Sequence, residues 1–261
     1  MLTIDKKITS NDLSILIFKD RIAFCTLEQT LYFDLEKKKI NSNSLDTWIN
    51  YHKIKKKNNK CILFESKGVV VPEELFDGNN KNLYLSLSED HLKNKLVIAK
   101  HIKSNNQVFV FSQKTDWRLL FKNTLENLEI NHFGAELIPF VSKNSVANIN
   151  KRIFIHIRKD YFDLFIYQGV QLLLFNSFPH KNEEEFLYYL FFVLEQFYLK
   201  PNQFTAVFLG KFVKYKKYYA VFNEFHTLTE FILPENSEID SHHPAPFFNY
   251  FYNHEDNFRE I

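Results

Sequence analysis

Two Lys-Asp pairs, Lys19-Asp20 and Lys159-Asp160, stand 140 residues apart, each between two short apolar runs. An aspartate at a loop tip can hold Mg²⁺ through water, and a lysine beside it can neutralise a phosphate. The same two residue types also make good tight turns, because Asp tolerates the backbone that hairpins need. The turn reading carries the greater weight. Gly210, in Phe208-Leu209-Gly210-Lys211-Phe212, either admits a close backbone approach to a ligand or closes a strand ahead of a helix. Asp240-Ser241-His242-His243, with His254 beyond, has metal-binding residue types without metal-ligand spacing. The chain contains no GxxxxGK[ST], HExxH, GxSxG or GxGxxG pattern. Cys25 and Cys61 stand alone in apolar strand-like runs, where a thiol behaves as a small buried hydrophobe. These residues assign no catalytic group and no metal site.

The pattern flanking the two pairs is repeated. Leu13, Ile15 and Ile17 precede Lys19-Asp20, and Ile22, Phe24 and Thr26 follow; Ile153, Ile155 and Ile157 precede Lys159-Asp160, and Phe162, Leu164 and Ile166 follow. Period-two alternation on both sides of a polar pair predicts hairpins, each extended by a third strand, at 31–35 and 172–175. A helix then follows in each half. The first covers 44–53 with Ser44 as N-cap; the second runs from Asn182 to about residue 199, with Glu183, Glu184 and Glu185 in its first turn. Residues 186–194 of the second helix are apolar all round, which predicts a helix sandwiched on every side. Strands follow at 61–64 and 206–209. The second half closes with a helix over 213–223 and a strand over 227–233. After Phe64 the first half predicts a helical turn at 72–76, strands at 83–87 and 108–111, and an amphipathic helix over 114–128. The expected organisation is a first lobe, 1–148, with an insertion at about 66–106, and a second lobe, 149–261. The boundary falls in the polar stretch 142–150.

Composition bounds the function. Lys plus Arg is 33 and Asp plus Glu is 31, a net charge of +2, so nucleic acid is not an expected partner. With 28 Lys and only 5 Arg, the run Lys53, Lys55, Lys56, Lys57 and Lys60 reads as a solvated loop. Five glycines in 261 residues are too few for several phosphate-cradling loops. The N-terminus has no apolar signal core, and the longest apolar run is half of a membrane span. A cytoplasmic chain without a membrane span is expected.

The duplicated β-β-β-α-β-α-β order resembles the superfamily of actin, sugar kinases and heat-shock chaperone ATPases. The segments Val70-Val71-Pro72-Glu73-Glu74-Leu75-Phe76, His132-Phe133-Gly134-Ala135, Leu174-Phe175-Asn176-Ser177-Phe178 and Tyr188-Tyr189-Leu190 resemble an uncharacterised Bacteroidetes family with an actin-like ATPase fold. The resemblance implies an α/β protein of two ribonuclease H-like lobes, with nucleotide between them. In active members each lobe's first hairpin carries an Asp-x-Gly phosphate loop, and a glycine pair packs on the adenosine. Here the two turns read Phe18-Lys19-Asp20-Arg21 and Arg158-Lys159-Asp160-Tyr161, without glycine, and Gly210 stands alone. A degenerate nucleotide site is therefore expected, with no cofactor, in a non-catalytic scaffold or protein-binding module whose partner is another protein or a second copy. The alternative is a divergent ATP-dependent enzyme, an ATPase or small-molecule kinase. Its Mg-ATP contacts would be Lys19, Asp20, Lys159, Asp160 and Gly210 in the interlobe cleft. The aromatic C-terminal run Phe247, Phe248, Phe251 and Tyr252 is expected to dock on its own second lobe or on a partner.

Overall fold

The computed structural model describes residues 12–26, 30–35, 40–54, 58–86, 95–125, 128–145 and 151–232. The C-terminal aromatic run and the Asp240–His254 histidine group lie outside them. In chain order the first part holds β1 (Asp12–Ile17), β2 (Arg21–Cys25), β3 (Thr30–Asp34), α1 (Ser42–His52), β4 (Asn58–Leu63), β5 (Gly68–Pro72), α2 (Lys81–Ser86), β6 (Leu96–Ile102), β7 (Gln107–Gln113), α3 (Trp117–Phe121), β8 (Leu128–His132) and α4 (Phe133–Ser145). The second part holds β9 (Lys151–Ile157), β10 (Tyr161–Gln168), β11 (Gln171–Pro179), α5 (Glu183–Gln196), β12 (Thr205–Leu209), α6 (Lys216–Asn223) and β13 (Thr229–Ile232). Two compact units divide between Leu137 and Ile138, within α4. That helix also carries Pro139 in its interior.

The repeat is realised in the hydrogen bonding. One five-stranded sheet has the order β3-β2-β1-β4-β8 and the other β11-β10-β9-β12-β13. Ile15 faces Phe24 across the first hairpin and Ile155 faces Leu164 across the second, at the same offset of 140. On the parallel side Ile15 pairs with Cys61, and Ile155 with Phe208. Both central strands are buried on both faces, so Leu16 in the first and Phe154 in the second sit buried between the alternating isoleucines. Cys25 and Cys61 are buried free thiols, as expected of hydrophobe-like cysteines, and burial pushes the Cys61 thiol well up.

Several elements differ from the pattern in the sequence. Asn41, not Ser44, caps α1: its side chain accepts from the Ser44 N–H, and the Ser44 hydroxyl accepts from the Asn41 N–H. The segment expected as a strand at 83–87 holds α2 instead. Asp77 accepts from the Asn79 N–H and the Asn80 amide, forming the turn ahead of the helix. Tyr84 Oη donates to the Leu75 carbonyl and accepts from the Asp77 N–H, and Leu85 is fully buried. The helix expected over 114–128 shrinks to the five-residue α3, capped by Asp116. Residues 128–132 extend instead as β8, paired in parallel with β4.

The inserted sheet has the order β5-β7-β6, so the segment expected as a main-sheet strand at 108–111 is its centre. The faces of β7 divide its work. Val108 and Val110 pack with Val71, Val97 and Leu85, while Phe109 and Phe111 lie against the His132 ring, at 4.8 and 5.5 Å. His132 Nδ1 accepts from the Gly134 N–H and Nε2 donates to the Ser66 carbonyl, which sets its tautomer. Glu136 ties the same region electrostatically. Its carboxylate lies 2.9 Å from buried Lys60 on β4 and 3.5 Å from Lys100 on β6, which also meets Glu129 at 2.9 Å.

The second unit packs α5 and α6 on one sheet face through Phe186, Leu190, Tyr218 and Phe222. Asn182 caps α5 by accepting from the Glu185 N–H. Contrary to the sandwiched helix expected, α5 buries one side only: Tyr188 is 65% exposed and Phe192 51%. An apolar circumference does not force burial where one sheet face and one neighbouring helix supply the whole core contact.

A hydrogen bond between buried charged groups contributes about 1.5–3 kcal/mol. Glu136→Gln should therefore lower unfolding stability by about that amount in urea titrations, whereas Lys100→Gln, at a more exposed site, should cost under about 1 kcal/mol.

Candidate functional site

Both candidate phosphate turns fold alike. The Phe18 N–H donates to the Arg21 carbonyl at 2.9 Å, and the Arg158 N–H to the Tyr161 carbonyl at 2.7 Å. The Asp20 carbonyl accepts from Leu35 and the Asp160 carbonyl from His180, so each turn is also stitched to the end of the third strand's side. Lys19, Asp20, Lys159 and Asp160 all have negative φ. Asp20 lies 3.6 Å from the Arg21 guanidinium. Lys19, Lys159 and Asp160 are exposed.

Gly210 ends β12 at φ +90°, with its N–H donating to the Ile232 carbonyl and its own carbonyl accepting from Tyr219 Oη. A Cβ there would sit 2.0 Å from the Phe212 ring. The turn out of the strand therefore requires glycine with no ligand involved.

The strongest buried polar constellation lies beside the turn of the second hairpin. Asp163, fully buried on β10, faces His156 on β9 and Ser177 on β11 in register. Its Oδ2 accepts from Arg158 Nε at 2.8 Å and His156 Nδ1 at 2.9 Å; its Oδ1 accepts from Arg158 Nη2 at 2.8 Å and Ser177 Oγ at 2.6 Å. Burial alone would raise this carboxyl, but Arg158 and the His156 hydrogen bond hold it far below the usual carboxylate range. Four donors fill the acceptor directions of one carboxylate, leaving none for a metal or a travelling proton. The cluster is an anchor. His180 extends it, with Nε2 donating to the Arg158 carbonyl and Nδ1 accepting from Tyr218 Oη, linking the hairpin to α6.

Comparisons place these features in a family. A model for proteins of unknown function, DUF3822, matches residues 2–227. The chain belongs to that family. A crystal structure from Bacteroides thetaiotaomicron, a protein with an actin-like ATPase fold and unknown function, is similar at 20% identity and a TM-score of 0.72, covering 89% of this chain and 94% of that one. The PilM-PilN type IV pilus biogenesis complex provides a second similar chain, at 8% identity and a TM-score of 0.54, covering 93% of this chain and 97% of that one. No curated protein sequence matches significantly. This DUF3822 chain therefore has the actin-like ATPase fold.

Within the DUF3822 chain, the Asp163 cluster has no counterpart in the first unit. At the offset of 140, Asp163, His156 and Arg158 correspond to Ala23, Leu16 and Phe18. The signal was present in the sequence: three polar residues break an otherwise apolar repeat, and all three fall on one face of the β9–β10 hairpin. Among the described residues no group of three or more His, Cys, Asp or Glu is placed to hold a metal ion, and no helix is long and apolar enough to cross a membrane.

Gly210→Ala combines a positive φ with a ring collision, whereas Gly169, at φ +58°, has open space around a new Cβ. Gly169→Ala should cost about 1–2 kcal/mol for the left-handed backbone. Gly210→Ala should cost clearly more in the same urea titration.

Burial lowers the His156, His180 and His226 imidazoles from their ordinary 6.5. His226 is held neutral by accepting from the Asn202 N–H at Nδ1 and donating to the Leu228 carbonyl at Nε2. The unfolded chain takes up protons at these rings below pH 6.5 while the folded chain does not. Their contribution is thus complete above 6.5 and is lost as pH falls towards the folded values. Unfolding free energy measured from pH 7.5 to 5 should decline by up to about 1.4 kcal/mol per pH unit per histidine. Asp163, also depressed, adds its own loss below its ordinary 3.8.

Proposed function

We propose that this chain is a non-catalytic actin-like scaffold, a protein-binding module that does not hold Mg-ATP tightly. The backbone of the two hairpin turns carries this reading. A phosphate cradle needs successive N–H groups converging on anionic oxygens, a geometry built by alternating right- and left-handed residues and helped by glycine. Lys19-Asp20 and Lys159-Asp160 supply negative φ throughout and no glycine. The two carboxylates further place negative charge at the tips. Gly210, the remaining glycine of the expected nucleotide contacts, has a local steric role in the turn. The buried Asp163 anchor and the intact cores of both units support retention of a stable framework independent of turnover. A similar chain of the same fold occurs in the PilM-PilN type IV pilus biogenesis complex, which supports a role in protein assembly for this fold.

Thermal unfolding across a Mg-ATP titration tests the reading. A ligand at 100 times its dissociation constant adds about 2.7 kcal/mol to the native state. In a chain of this size that corresponds to several degrees. The expected result at millimolar Mg-ATP is no saturable shift. A saturable shift that Lys19→Ala and Lys159→Ala remove would overturn the scaffold reading in favour of an ATP-dependent enzyme.

A further inference from the structure

The helical face of the second unit is aromatic where solvent reaches it. Tyr188 and Phe192 lie one turn apart on α5 with stacked rings, 6.5 Å between centroids. Phe191 meets Phe225, just beyond α6, edge-on at 5.3 Å, and Phe225 is 52% exposed. Half-buried Leu187 continues the patch. A contiguous apolar surface of this kind marks a site that something covers.

The fold says where the remaining chain starts. Contacts Phe186–Tyr218 and Phe191–Phe225 show α5 and α6 running in the same direction. β12 and β13 are parallel, with α6 between them, so α6 begins at the end where β13 finishes. Residues 233–261 therefore leave Ile232 beside the start of α6, where Lys211, Lys214, Lys216 and Lys217 are exposed. The departing segment carries Glu235, Glu238 and Asp240 and has no Lys or Arg before Arg259. Glu235, Glu238 and Asp240 are opposite in charge to those four lysines. The fourteen residues 233–246 span up to about 45 Å, ample for α5, whose fourteen residues make about 21 Å. Such a span puts the patch within reach of Phe247, Phe248 and Phe251.

We propose that the chain's own C-terminal segment, residues 244–252, docks on the Tyr188–Phe192–Phe225 face, guided by its acidic lead-in along the α6 lysines. This surface is separate from the hairpin turns, so the proposal stands or falls independently of the scaffold reading.

Hydroxyl-radical footprinting of the full chain, read by mass spectrometry at Tyr188 and Phe192, tests it. The triple variant Phe247→Ser, Phe248→Ser, Phe251→Ser should oxidise several-fold faster than the parent at both residues, with Tyr51, 79% exposed on α1, unchanged as a control. The difference should persist on dilution. Reciprocally, Tyr188→Ser with Phe192→Ser, at two exposed positions that leave the core intact, should raise amide exchange across 244–252 several-fold. Equal oxidation in parent and tail variant would overturn the proposal. So would protection of the parent that disappears on dilution, which would assign the face to a second copy, or tail exchange indifferent to the helix substitutions.

Discussion

The main sheet of each unit answers to one constraint: a central strand that is hydrogen-bonded antiparallel on one side and parallel on the other. β1 and β9 occupy that position. The antiparallel side needs only a two-residue turn, but the parallel side cannot be reached without a crossover. α1 and α5 are those crossovers, and they deliver β4 and β12 to the same register opposite Ile15 and Ile155. Both central strands are also buried on both faces, so their residues are apolar on both sides or must find partners within the sheet. The buried imidazole of His156 on β9, which finds Asp163 on the neighbouring strand, is one outcome of this requirement.

The two units meet it differently. In the first, Leu16, Phe18 and Ala23 fill the non-helical side of the hairpin, and Phe18 stacks on Phe64 at 4.9 Å. In the second, an ionised carboxylate takes the place of a methyl group and draws in a guanidinium, an imidazole and a hydroxyl. Desolvating such groups is costly, and an apolar replacement of matched volume is often no less stable. What the ionic version adds is direction. Four hydrogen bonds and the His180 link constrain where Arg158, and with it the turn that follows, can sit. The first unit places its own polar ties elsewhere, at Glu136 and His132, where the inserted sheet joins.

The duplication was legible because period-two alternation is a local property, and because an offset of 140 maps one hairpin onto the other without a gap. The Asn182 cap was legible because its side chain acts on its own turn, whereas at α1 Asn41 and Ser44 share one capping box and the expectation fell on its other member. The elements misread were decided at a distance. α2 depends on a turn built by Asp77 and on Tyr84 reaching back to Leu75; β8 depends on pairing with β4, some seventy residues earlier. The resemblance motif around His132 also proved structural, its imidazole clasping a loop and a helix start. For the turns, the missing glycines were visible in the residues themselves, while the sign of φ at Lys19 and Lys159 was not.

Pro139 has a mechanical consequence. It has no N–H to return to the carbonyl four residues earlier, at Ala135, so α4 lacks a rung of its ladder. The missing rung lies within one turn of the point, between Leu137 and Ile138, where one unit gives way to the next. A helix is a stiff rod only while its ladder is continuous. α4 thus includes a segment of reduced bending stiffness, set by one imino acid rather than by a glycine.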